Sequence, residues 1–339
     1  MNATQRALVC RALSDDFSGL AVETLDVPEP GPGDVLVRMR AASVNFPDLL
    51  MTQGRYQFRP ELPFIPGIEG AGEVVALGCD AARAPDAPRV GERVLVHART
   101  GAFAAFSRLG VADVRPMPAA LDYAHAAAFQ AAAVTAYVSL VRRAALQPGE
   151  TLLVHGATGG VGMATVQLGR HLGARVIATG TSDEKLARLR ALEGVETLNL
   201  SCGLREQVHA LTHGRGADVI FDPVGGDVFD ASVRCIAWGG RLLVVGFAAG
   251  RIPTIALNLP LIKGFSIVGV RAGEYGRRDP QRGAQNLREI DRLADAGVFR
   301  PHLCERFSLE RSVEALRHLA DRRVLGKVVI EMAAGDSAD

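Results

Sequence analysis

Nine residues, Val154-His155-Gly156-Ala157-Thr158-Gly159-Gly160-Val161-Gly162, restrict what this 339-residue chain can fold into more than any other stretch. Thr151 to Val154 leads into them as an apolar, strand-like run. Val161 to Leu172 follows with helical apolar spacing at Val161, Ala164, Val166, Leu168 and Leu172. The chain must therefore turn tightly between a strand and a helix. Ala157-x-Gly159-x-x-Gly162 has the spacing of the dinucleotide fingerprint, with alanine at the first glycine position. Ala157 and Gly159 let the backbone turn close to a pyrophosphate, and Gly162 lets helix and strand pack closely. The pyrophosphate would rest on the turn from Gly156 through Thr158, Gly160 and Val161, at the positive end of the helix dipole. A second strand-like run, Arg175 to Thr179, follows the break at Gly173 and completes a strand–helix–strand unit of about 30 residues. The competing reading, glycines that only make a tight turn, does not account for this whole unit.

A chain of this length ordinarily holds two domains. Its 38 basic and 37 acidic residues leave a formal charge of +1, which argues against broad attraction to nucleic acid or anionic lipid. Met1 to Leu13 has no uninterrupted apolar core, so no secretory signal is expected. Ala124 to Val141 is alanine-rich but broken by His125, Gln130, Thr135 and Ser139, which predicts a buried helix rather than a membrane span. The five cysteines form no CxxC pair, so a reducing cytoplasm is expected, with neither a disulfide framework nor a zinc ribbon.

From Ala7 to about Asp122 the pattern is one of short strands and turns, with strands at Val35–Met39, Gly72–Leu77 and Arg93–His97. Between Asp122 and Leu146 it becomes helical. From Thr151 strands and helices alternate, which predicts a parallel sheet with helices on both faces, an α/β fold. Phe265–Val270 reads as another strand, followed by helices near Ala284–Ala296 and Leu309–Arg322 and a closing strand at Lys327–Glu331.

In folds that bind NAD, a carboxylate about 20 residues beyond the glycines takes the ribose hydroxyl. Here that place is Gly180-Thr181-Ser182, with no acid. Asp183 and Glu184 read instead as helix-start residues, with Thr181-x-x-Glu184 as a capping box. Thr181, Ser182 and Lys185 can donate to a 2′-phosphate, so NADPH is the expected cofactor.

The motifs Gly33-Asp34-Val35-Leu36-Val37-Arg38-Met39, Asn45-x-x-Asp48, Pro66-Gly67-Ile68-Glu69-Gly70-Ala71-Gly72, Val90-Gly91-Glu92-Arg93-Val94 and the glycine turn occur here in the order found in medium-chain dehydrogenases/reductases. The chain most resembles their zinc-free quinone oxidoreductase branch. The resemblance implies a GroES-like, β-rich catalytic domain from residues 1–124 and 264–339, around a Rossmann NADPH-binding domain at 125–263. Zinc-dependent members use a cysteine where this chain has Val44-Asn45 and a histidine where it has Ile68, and they carry a four-cysteine lobe absent here. No metal is therefore expected. Without one, an oxygen gaining charge needs hydrogen-bond donors. The resemblance points to Asn45 and Tyr56, with Asp48 orienting either one; each also has a plain structural reading, as helix caps for Asn45 and Asp48 and as a loop aromatic for Tyr56. Leu50 and Leu200 depart from family members that carry an aromatic residue and a tyrosine there.

The expected activity is NADPH-dependent hydride transfer to a quinone or an activated C=C such as an enone or acryloyl group. The alternatives are a zinc-free aldehyde or alcohol oxidoreductase and a non-catalytic NADPH-binding protein. A homodimer is expected through Phe265–Val270, whose apolar edge would otherwise be exposed and whose counterpart in relatives pairs with its copy.

Overall fold

The computed structural model describes residues 3–192 and 194–333, and the backbone of 337–338. The strands in chain order are β1 (Thr4–Cys10), β2 (Leu20–Asp26), β3 (Asp34–Ser43), β4 (Glu69–Leu77), β5 (Arg93–His97), β6 (Phe106–Gly110), β7 (Val114–Pro116), β8 (Thr151–Val154), β9 (Arg175–Gly180), β10 (Val195–Asn199), β11 (Ala217–Asp222), β12 (Ile236–Val244), β13 (Ser266–Gly269), β14 (Leu303–Ser308) and β15 (Lys327–Glu331). The helices are α1 (Phe46–Thr52), α2 (Tyr123–Ala127), α3 (Gln130–Tyr137), α4 (Gly160–His171), α5 (Asp183–Arg190), α6 (Leu204–Leu211), α7 (Gly226–Cys235), α8 (Asn258–Lys263), α9 (Ala272–Arg278), α10 (Pro280–Asp295) and α11 (Ser312–Ala320). The chain forms two compact units: one runs to Ala131 and resumes at Pro301, and the other is Ala132–Arg300.

The first unit is built on a largely antiparallel sheet of order β14-β15-β3-β4-β5-β7, with β6 also pairing β3. β3 is its spine: Val35, Val37, Met39 and Ala42 bury their side chains in a core shared with Leu8, Leu49, Phe103 and Ile330. The C-terminal strand β15 joins β3 in antiparallel register, Val329 opposite Ser43 and Glu331 opposite Ala41. That pairing brings the far end of the chain beside the start of α1.

The second unit carries a six-stranded sheet of order β10-β9-β8-β11-β12-β13, parallel at every pairing. Numbered from β8 this is 3-2-1-4-5-6, the doubly wound dinucleotide-binding order. β8 is buried along its whole length, as an apolar run covered on both faces should be. Leu153, Ile177, Ile220 and Leu242 continue the core from strand to strand.

The structure moves the domain limits expected from sequence. Residues 264–300, expected in the first domain, belong to the second unit because β13 finds its backbone partners on β12, from Arg241–Ser266 to Val244–Gly269. The first limit lies after Ala131 rather than after Ala124. The buried helix expected from Ala124 to Val141 is broken into α2, α3 and a π-helical stretch, Val138–Arg143. There the Ser139 hydroxyl donates to Thr135 O at 2.6 Å, and the backbone closes wider, with Ala144 N–H donating to Ser139 O. Among the described residues no helix is long and apolar enough to cross a membrane.

Candidate functional site

The glycine turn sits at the C-terminal end of β8, where strand order reverses between β8 and β11, the place where open parallel sheets bind ligands. Gly156 has φ +58°, a left-handed conformation that glycine adopts without strain, and Pro223 and Val224 lie just beyond its Cα. A Cβ on Gly162 would stand 2.2 Å from Gly156 O and 2.7 Å from Ala157 Cα, so only glycine lets α4 approach the turn this closely. Ala157 is fully buried and its N–H donates to Thr179 O on β9. Thr158 faces the end of β9, its methyl group near Gly180. Gly159 is the N-cap of α4, so the first-turn amides of Gly160, Val161 and Gly162 start the helix and have no partner one turn back.

At the end of β9 the last strand residue is Gly180, and no carboxylate occupies the ribose position. The N-cap of α5 is Ser182, not the Thr181 expected from the capping-box pattern: Ser182 Oγ accepts the Lys185 N–H at 3.3 Å. Asp183 and Glu184 occupy the first turn, where their charge favours the helix dipole. Thr181, Ser182 and Lys185 thus cluster at one helix start, with Thr181 exposed and Ser182 able to donate its hydroxyl hydrogen.

His155 is a satisfied structural histidine in the second unit's core, directly before the turn. Its Nε2 lies 2.7 Å from Ser232 Oγ on α7 and its Nδ1 2.9 Å from Thr179 Oγ1 on β9. Ser232 donates its own hydrogen to Val228 O, so Nε2 carries the ring proton and Nδ1 accepts from Thr179. Burial pulls the imidazole pKa down to about 3, and the ring is neutral.

The first unit holds a second buried polar group. Asp48 Oδ2 accepts the Asn45 N–H at 2.8 Å, fixing the first turn of α1. Asn45 Oδ1 accepts from Lys327 Nζ at 2.7 Å, while Asn45 Nδ2 donates to Ser43 O at 3.1 Å and to Glu69 Oε1 at 2.9 Å. Lys327 Nζ also donates to Glu69 Oε1 at 2.8 Å, and Glu69 Oε2 accepts the Ala131 N–H at 2.7 Å. A lysine can only donate and a carboxylate only accept, so the orientation of the Asn45 amide is fully determined. Both amide hydrogens are engaged within the protein, and Asn45 as arranged here has none left for an acceptor oxygen. Asp48 is fully buried and does not orient Tyr56; it caps α1. Burial pushes its carboxyl up to about 7, against the Asn45 N–H, with the Glu69 charge adding to the rise and Lys327 opposing it. Tyr56 is half-buried against the same core, with its backbone N–H on Leu50 O and no hydrogen bond to its hydroxyl among the described residues.

Glu69 and Lys327 were not singled out in the sequence as site residues. Glu69 lies in a motif already noted, but Lys327 is named in the sequence only as the first residue of the closing strand.

His155 and Asp48 lead to a pH prediction. Between its ordinary value of 6.5 and about 3, His155 takes up a proton only when unfolded, so this residue's contribution to stability falls as pH falls. Between 3.8 and about 7, Asp48 holds a proton only when folded, so its contribution falls as pH rises. In the shared range the two slopes, about 1.4 kcal/mol per pH unit each, oppose one another. Urea unfolding of Asp48→Asn should therefore gain about 2 kcal/mol in stability between pH 4.5 and 6.0 relative to the change in the unmodified chain. An unchanged slope would contradict the buried-carboxyl assignment.

A reversing parallel sheet with a glycine turn in one unit and a buried polar cluster in the other, β-rich unit define a two-unit, dinucleotide-dependent class of oxidoreductase. Residues 31–141 match the family model for the alcohol dehydrogenase GroES-like domain, and residues 160–290 match that for zinc-binding dehydrogenases. The chain is 35% identical over 329 residues to quinone oxidoreductase-like protein 2 homolog of Nematostella vectensis, covering 96% of this chain and 88% of the relative. It is 39% identical over 313 residues to mycoketide-CoA synthase of Mycobacterium tuberculosis, covering 89% of this chain but 7% of that synthase. Among solved structures, mycobacterial Rv1454c complexed with NADPH matches with a TM-score of 0.88 at 27% identity, covering 96% of this chain and 99% of that one. The chain belongs to the medium-chain dehydrogenase/reductase superfamily, in its quinone oxidoreductase branch, and is an oxidoreductase.

The zinc in the family description does not fit the residues present. Ile68 packs against the first unit's core, and Asn45 and Glu69 are engaged by the Lys327 ammonium. Among the described residues no group of three or more His, Cys, Asp or Glu could hold a metal.

Proposed function

We propose that this chain is a zinc-independent, NADPH-dependent reductase whose acceptor is a quinone or an activated C=C. The observation that carries the zinc-free reading is the Lys327 ammonium, a cation hydrogen-bonded to Asn45 Oδ1 and Glu69 Oε1, beside the two places, Val44-Asn45 and Ile68, where the resemblance puts the ligands of metal-dependent members. The acceptor class is supported by likeness to a quinone oxidoreductase-like protein and to a segment of a CoA-linked synthase, which adds acyl thioesters to the candidates.

NADPH is the cofactor, supported by the NADPH complex of a structural relative and by the acid-free end of β9. When bound it supplies a hydride from its nicotinamide. The amides from Gly160 to Gly162 would hold the pyrophosphate, and Thr181, Ser182 and Lys185 the 2′-phosphate. Tyr56 offers a phenolic hydrogen to the acceptor oxygen. Reduction of an enone places hydride on the β-carbon and a proton on the α-carbon, the proton coming from Tyr56 or water; a quinone takes the same hydride and proton to give the hydroquinone.

The deciding experiment is an NADPH-oxidation screen over quinones, enones, acryloyl thioesters and a saturated aldehyde, with and without a strong chelator. Turnover of the first three classes that withstands chelation is the expected result. Turnover confined to the aldehyde, or lost with the metal, would defeat the reading. Lys185→Glu should weaken NADPH binding at least tenfold relative to NADH, as measured by fluorescence titration, since a carboxylate would then face the 2′-phosphate. Equal NADPH and NADH affinity in the unmodified protein would count against the assignment of the 2′-phosphate site.

The reading includes a homodimer. Among the described residues β13 pairs only with β12, leaving its other edge open. Nearby in the chain, Trp238, Leu257, Leu261 and Ile262 are 68–81% exposed, an unusual concentration of large apolar side chains at the surface. Light scattering should give twice the chain mass at micromolar concentration, and Leu261→Asp should halve it. Trp238 is the only tryptophan, so its emission should shift to the red on dissociation. A monomeric mass in the unmodified protein would end this part of the proposal.

A further inference from the structure

Among the described residues Lys327 is the one buried cation in the polar cluster of the first unit, and two protein acceptors meet its three N–H donors. An ammonium has three N–H donors and no acceptor. The protein supplies two acceptors, Asn45 Oδ1 at 2.7 Å and Glu69 Oε1 at 2.8 Å, to a side chain only 7% exposed. A charged donor so far out of water, with one hydrogen unmatched, is costly unless something else accepts it. The nitrogen donors of the cluster are otherwise taken, Asn45 Nδ2 by Ser43 O and Glu69 Oε1, the Asn45 N–H by Asp48 Oδ2, and the Ala131 N–H by Glu69 Oε2, while the buried Ser43 hydroxyl, which has no partner among the described residues, is a neutral donor. The third Lys327 hydrogen is thus the strong donor left in a cluster built on the first turn of α1, the segment that leads to Tyr56.

We infer that Lys327 is a catalytic residue, donating its third N–H to the acceptor oxygen that gains negative charge as the conjugated C=C or quinone is reduced. This rests on the reductase reading above and assigns the donor role that the engaged Asn45 amide cannot fill. A positive donor fixed by two short hydrogen bonds needs no reorganisation when charge develops, and in a water-poor site it acts more strongly than a neutral hydroxyl. The lysine transfers no atom: hydride reaches the β-carbon, the α-carbon is protonated separately, and the ammonium keeps its three hydrogens throughout. Glu69 holds the ammonium in place through Oε1 while its Oε2 is tied to Ala131, which makes Glu69 a positioning residue.

The test compares Lys327→Met, Lys327→Arg and the double variant Lys327→Met with Glu69→Gln, using an enone that the unmodified enzyme reduces. The double variant removes both charges together, so a loss there cannot be assigned to an unpaired Glu69. The expected result is a drop in kcat on the order of 10²–10³-fold in Lys327→Met and in the double variant, partial recovery in Lys327→Arg, and an NADPH Kd unchanged within about twofold. A double variant that turns over within about threefold of the unmodified rate would overturn the inference, leaving Lys327 as a counter-charge for Glu69. Equal weakening of NADPH binding in all three variants would overturn it too, because the effect would then be structural. If the methionine variants do not fold, infrared spectra in the Tyr56→Phe protein decide: the carbonyl stretch of a bound enone should still move to lower frequency, and the absence of that movement would refute a lysine donor. An unmodified chain that reduces no conjugated acceptor would remove the reductase reading and this inference with it, whereas normal turnover in the lysine variants would remove this inference alone.

Discussion

Gly162→Ala should lose at least tenfold in NADPH affinity and about 1–3 kcal/mol in stability, the usual range for forcing a methyl group into a filled site. The added carbon would meet backbone on every near side, Gly156 O at 2.2 Å, Ala157 Cα at 2.7 Å and Gly156 C at 2.8 Å. Backbone atoms cannot rotate aside as a side chain can. Relief must come from lifting α4 off the turn, which moves the same first-turn amides that would hold the pyrophosphate. Stability and affinity should therefore fall together, and isothermal titration with thermal unfolding measures both. Normal affinity in a destabilised variant would show that the turn holds its shape without close contact to the helix.

Tyr56→Phe should lower kcat on an α,β-unsaturated carbonyl on the order of 10²-fold while leaving NADPH affinity nearly unchanged. In the proposed role the phenol would meet charge that exists only as hydride arrives, so its loss would raise the barrier without affecting cofactor binding. A quinone, whose ring is already strongly electron-accepting, should lose less. Measuring both acceptors with one variant separates a donor from a packing residue: equal, small losses on both would return Tyr56 to its plain reading as a loop aromatic. Comparison with the Lys327 variants would then separate the proposed neutral donor from the proposed charged one.

Much of the fold was legible because its signals are local. The run Arg93–His97 reads as a strand and is one, with the same limits, since a short, wholly buried run of Val94, Leu95 and Val96, rich in β-branched residues, suffices to place it. Phe265–Val270 was read as a strand and Ser266–Gly269 is one, but its membership was not legible. An apolar run carries no record of which edge it will join, and the free edge of β12 decided that. The break in the long helix also escaped, because alanine-rich spacing looks the same whether or not a serine hydroxyl takes a backbone carbonyl within it.

By itself, the sequence determined the nucleotide turn, because its requirements are steric and lie within a few bonds: a positive φ at Gly156, no room for a Cβ at Gly162, and a strand and helix on either side. It also determined the absence of an acid at the end of β9. Tertiary structure alone decided what the polar residues around Asn45 do. Lys327 stands 282 positions from Asn45, and only the antiparallel pairing of β15 with β3 carries its ammonium to Asn45 and Glu69. That pairing engages the Asn45 amide, buries two carboxyls beside one cation, and leaves a single charged donor. Hydrogen-bond matching of this kind depends on three-dimensional proximity, which residue spacing along the chain does not encode.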